Sequence, residues 1–182
     1  MTGESEKGGQ IQWVPNPIRE VERLKDVVEG DIGNMEAAEQ DFEEIVDEDL
    51  GNDLLLYFTL VHSTIERYSN NILWSRFNSE EYQPEEDTTE ILENLNDDRE
   101  YLSQSTRENL LFTEGVIDPG LKSQMAETRR TRNSLVHDPH ERVTLSSIED
   151  VASKVDIAWR AATAMNQKWT DELRRGDAEV IE

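Results

Sequence analysis

Residues 52–77 read NDLLLYFTLVHSTIERYSNNILWSRF, the most apolar run in the chain. Leu56, Leu60, Ile65, Tyr68, Ile72 and Phe77 recur at three- to five-residue intervals, a spacing that predicts one long helix and not a strand. Asn52 or Asp53 is placed to cap its start. A helix this apolar has to be central and mostly buried, so its neighbours must supply faces to cover it. No stretch alternates as a half-buried strand would, and there is no internal repeat. The expected fold class is therefore all-α, a helical bundle.

Moving outward, Ile18, Val21, Leu24, Val27 and Val28 follow VPNP at helical spacing and predict a first helix ending at Gly30. A second helical pattern, MEAAEQDFEEIVDEDL (35–50), has Met35, Ala38, Phe42, Ile45 and Val46 on one face and carboxylates on the other. Pro84 and an acidic run mark 78–90 as a loop. Ser105 followed by Glu108 suggests a capping box opening a short helix that stops at Gly115. Asp118 as N-cap and Pro119 at the first helical position begin a helix that should stop near His137, because Asp138 precedes Pro139. The last long helix carries the stripe Ile148, Val151, Val155, Trp159, Ala162 and Met165. The division expected is a flexible tail over 1–12, a single domain over 13–175 and a second tail over 176–182.

The 182 residues suffice for one domain with a full core. Without cysteine there is no disulfide, no thiolate metal site and no thiol nucleophile. No run of about 18 apolar residues is present to span a bilayer, and MTGESEKGGQ lacks the apolar core of a signal peptide. No membrane association and a cytoplasmic location are expected. The net charge of −23 suits either an acidic mimic of nucleic acid or a surface adapted to molar salt. Its carboxylates are spread over nearly every segment, and only five lysines stand against thirteen arginines. That spread favours salt adaptation, as in a halophilic archaeal source, because screening at about 1 M salt would suppress self-repulsion.

Against this acidic background RRTRNSLVHDPH (129–140) stands out. Arg129, Asn133 and His137, four apart, lie along one slowly drifting helix face with Arg132 beside them. Arg132 and His137, five apart, are separated by roughly 140° around the helix and do not converge. Either His137 leaves helical geometry, or a second copy brings its own set across a two-fold axis and completes a composite cleft. At the negative end of the helix, His137 is placed as a general acid.

Arg132, Asn133, three further residues and His137 match the arginine, four residues, histidine motif of HEPN domains, and RNSLVH resembles its commonest form. LVHSTIERYSNNIL upstream and EGVIDPGLKSQMAETRRTRNSLVH around the motif are similar too, so that the resemblance covers roughly residues 50–170. It implies a helical bundle that dimerises through the motif-bearing helices. It also implies a metal-independent endoribonuclease, toxin- or defence-like, in which Arg132 and His137 assist attack of a ribose 2′-hydroxyl on the adjacent phosphate. Asn133 would orient His137 or hold phosphate, and Arg129 and Arg130 would add RNA contacts. The chemistry needs a proton shuttle near neutral pH and a fixed cationic fork, which imidazole and guanidinium provide. No cofactor is implied. The alternative is a catalytically silent HEPN-like module that binds RNA, a nucleotide or a protein such as a nucleotidyltransferase-type antitoxin.

Each residue also has a plainer reading. Arg132 and His137 suit a structural role at a dimer interface, and Arg129 and Arg130 suit ion pairs to carboxylates such as Glu127. His137 and His140 have a zinc-compatible spacing, but Pro139 lies between them and no third ligand is evident, so no metal site is assigned. His62 is read as a core histidine paired with Glu66 one turn on. Trp74, Trp159 and Trp169 are read as core or interface residues.

Overall fold

The computed structural model describes residues 16–38, 49–77, 83, 88, 102–137 and 147–179, and those residues form an all-α bundle. Its helices are α1 (Pro17–Ala38), α2 (Asp49–Phe77), α3 (Gln104–Thr113), α4 (Pro119–His137) and α5 (Ile148–Glu179). Helices α2 and α5 pack along one another, while α1 and α4 each pack on both, from opposite sides. Short α3 bridges α2 and α4. None of these helices is long and apolar enough to cross a membrane.

α2 is the buried axis that its composition predicts. Leu54, Tyr57, Phe58, Val61, Ile65, Tyr68 and Ile72 form its core stripe. The Tyr57 and Phe58 rings meet edge-on at 5.3 Å. The Tyr57 hydroxyl, buried with its pKa pushed up by desolvation, donates to the Val155 carbonyl at 2.9 Å and pins α2 to α5. The helix starts earlier than Asn52, because Leu50 is buried and extends the stripe, so Asn52 and Asp53 lie within the helix and do not cap it. Leu56, roughly 200° from Leu54, faces outward and is 52% exposed. Trp74 is 73% exposed, which removes it from the core, whereas Trp159 and Trp169 pack partly against it.

Three helix starts follow from local chemistry. Asn16 accepts from the Ile18 amide with Pro17 in the first helical position. Asp118 accepts from the Leu121 amide at 2.8 Å, and Ser147 from the Asp150 amide at 3.2 Å. α1 does not end at Gly30. Val28, Ile32 and Met35 continue its buried stripe across Gly30 and Gly33, and that burial outweighs the roughly 1 kcal/mol cost of each helical glycine. Met35 therefore belongs to α1, and residues 39–48, which include Phe42, Ile45 and Val46, lie outside the described residues.

The N-cap of α3 is Ser103, whose hydroxyl accepts from the Thr106 amide at 3.2 Å. Ser105 lies in the first turn, and Glu108, expected to complete a capping box, is buried and turned toward α4. The stop at Gly115 is as expected. Gly115 has φ 65° and donates to the Phe112 carbonyl, while Val116 donates to that of Leu111, the bond pair of a Schellman closure. Beyond it, α5 remains helical to Glu179, past the 175 boundary. The tail expected over 1–12 lies outside the described residues, as does most of the 78–90 loop.

Candidate functional site

Leu121, Met125, Thr128 and Thr131 are buried and set the rotation of α4 on the bundle. Arg129 and Arg132 lie within roughly 40° of Met125 around the helix and are half-buried, Arg129 reaching Glu108 on α3 and Arg132 acting on His62 of α2. Arg130 and His137, seven residues apart, share the opposite face and are exposed. The drift along Arg129, Asn133 and His137 is thus enough to carry the row from inside to outside. The helix includes His137, so the imidazole does not swing out of helical geometry, and the divergence from Arg132 stands.

The inward-facing arginines meet a polar cluster where α2, α3 and α4 come together. Arg129 makes two bonds to the buried Glu108 carboxylate, Nε to Oε1 at 3.3 Å and Nη2 to Oε2 at 3.4 Å. From α3, Arg107 Nη1 donates to Glu66 Oε1 at 3.0 Å and to Gln104 Oε1 at 3.1 Å. Glu66 also faces His62 Nδ1, 3.5 Å away. The Arg132 Nη1 bonds to the side-chain oxygen of Asn133 at 3.1 Å, and among the described residues Arg132 has no carboxylate partner. On the outer face Arg130 pairs with Glu127, as its plainer reading anticipates.

His62 is half-buried and paired with Glu66 as its sequence reading expects, but it has more charged company than that reading gave it. Its pairing with Glu66 is present, but the imidazole is also in the field of Arg132, Arg129 and Arg107. Burial lowers its pKa, the pull of Glu66 opposes that, and the three guanidiniums add to the lowering. Its only sequence signal is a histidine one turn before a glutamate on an otherwise apolar helix, and nothing local links that pair to α3 or α4.

Four groups of this cluster carry hydrogen-bonding capacity suited to an anion, namely Arg107, Arg132, Gln104 and His62. No group of three or more metal-ligating side chains occurs among the described residues, and His140 lies outside them. Comparison with protein-family models, with curated proteins and with solved structures yields no match.

Proposed function

We propose that the chain is one subunit of a two-fold dimeric, HEPN-like endoribonuclease that cleaves RNA without a metal, with Arg132, Asn133 and His137 acting at a cleft completed by a second copy. The observation that carries this reading is the divergence of the motif along one uninterrupted helix, with Arg132 turned inward without a carboxylate partner among the described residues and His137 exposed at the helix end. A two-fold pairing of α4 would set the His137 of one copy against the Arg132 of the other. There the ribose 2′-oxygen attacks phosphorus as its proton passes to a solvent water. The bond to the 5′-oxygen breaks, and His137 protonates that oxygen while Arg132 stabilises the developing charge. Arg129 and Arg130 belong to the RNA-binding surface in this proposal, and a nucleotidyltransferase-type antitoxin is the protein partner class that the resemblance implies.

A second reading, a silent module that binds RNA, a nucleotide or a protein, draws support from the pairing of Arg129 and Arg130 with Glu108 and Glu127, which leaves fewer free cations for a substrate. Cleavage of one labelled RNA in the presence of EDTA separates the two. The ribonuclease yields 2′,3′-cyclic phosphate ends, and Arg132→Ala and His137→Ala each lose at least a hundredfold in rate while remaining folded, in keeping with the size of acid–base contributions. No cutting by the wild type establishes the silent module. Cutting that stops with chelator overturns the metal-free mechanism.

A further inference from the structure

The cluster at the junction of α2, α3 and α4 contains three guanidiniums, from Arg107, Arg129 and Arg132, against two carboxylates, Glu66 and Glu108. Among the described residues one cation is left over there, in a chain whose net charge is −23. Among the described residues three buried donor atoms within it have no partner: the Nε of Arg107, the Nε of Arg132 and the amide nitrogen of Gln104. Gln104 is only 6% exposed, so its amide is fully withdrawn from water, and its oxygen is already held by Arg107. Buried polar groups are nearly always satisfied, and several unsatisfied donors beside an uncompensated cation mark a place where an acceptor belongs. The side chains of Glu66, 36% exposed, and Arg129, 26% exposed, give the cluster an open side.

We propose that His62, Gln104, Arg107 and Arg132 form a phosphate-binding site within a single chain, in which phosphate oxygens accept from the unpartnered donors and Glu66 is displaced from Arg107. Guanidinium forks match phosphate geometry, and an oxyanion can satisfy several convergent donors at once. His62 gives the site a second property. Its neighbours are Glu66 on α2, Arg107 with Glu108 on α3, and Arg129 with Arg132 on α4; burial disfavours its protonation most, Glu66 favours it, and the arginines add to the disfavour. A bound phosphate cancels their field, so His62 gains a proton as the anion enters. The site lies inside one subunit, shares only Arg132 with the proposed cleft, and binds whether or not RNA is cut.

The test follows the imidazole signals of His62 by NMR as a function of pH, identified by their loss in His62→Gln, with two probes. Inorganic phosphate and a 2′-O-methylated oligouridylate, which has no free 2′-hydroxyl to attack, are added separately. Binding should raise the pH midpoint of His62. Arg132→Gln and Gln104→Met should each weaken binding at least tenfold, while Arg23→Gln, an exposed arginine on α1, should leave it unchanged. Helix content by circular dichroism checks folding, and should Arg132→Gln unfold, Arg132→Lys, which keeps the charge without the planar fork, should still weaken binding at least threefold. A response to both probes assigns the site to a strand phosphate, and a response to inorganic phosphate alone assigns it to a small phosphorylated ligand. A His62 midpoint indifferent to both probes, or equal losses in Arg23→Gln and Arg132→Gln, overturns the proposal. Cleavage without a His62 response sinks this site alone, and a His62 response without cleavage sinks the ribonuclease reading alone.

Discussion

At the scale of single residues, adjacent arginines in the same run have different work. Arg129 compensates Glu108, whose side chain is 3% exposed, whereas Arg130 is 66% exposed and pairs with Glu127 at the surface. Removing one partner of a buried pair leaves an uncompensated charge, so Arg129→Ala should lower unfolding free energy by about 3 kcal/mol. A surface pair contributes little, and Arg130→Ala should change it by less than about 1 kcal/mol. Denaturant titration of both variants checks this, and equal effects would contradict the placement. A loss of RNA cleavage in Arg129→Ala therefore has to be read beside its stability. The motif residues were legible in the sequence because their spacing is local. The company of His62 was not, because Arg107, Arg129 and Arg132 approach it from two other helices, 45 to 70 positions away in the chain.

Helix boundaries were legible where one residue type dominates the local choice. Asp118 before Pro119 starts α4, and Gly115, in the left-handed region, closes α3. They were misread where two local signals competed or where tertiary burial overrode a local one. Ser103 and Ser105 are both credible caps, and the decision belongs to Glu108, which is withdrawn from a capping box by its bond to Arg129 on α4. Ser103→Ala should thus destabilise the protein by about 1 kcal/mol, and Ser105→Ala should fall within about 0.5 kcal/mol of the wild type. Thermal melts that rank the two the other way would restore Ser105 as the cap. Glycine disfavours helix and makes Gly30 look like a stop, but Ile32 and Met35 bury on the far side of it and carry α1 through.

For the molecule as a whole, helical periodicity was enough to define an all-α bundle with residues 52–77 at its centre, because a buried axis of that length leaves its mark in every turn. Which arcs of that axis are covered was less legible: Leu56 and Trp74 lie on its uncovered side, a consequence of where α1, α4 and α5 pack. Against carboxylates spread over nearly every segment, the α2–α3–α4 junction is a place where, among the described residues, guanidiniums outnumber acids. The central proposal is that Arg132 and His137 act together only across two copies of α4. It is tested most directly by mixing Arg132→Ala and His137→Ala protein, unfolding and refolding them together, and measuring RNA cleavage in EDTA. Each variant alone should be inactive. In the mixture about half of the dimers are heterodimers, each with one intact pairing of two, so roughly a quarter of wild-type activity should return. A mixture as inactive as its components would contradict a site shared between subunits.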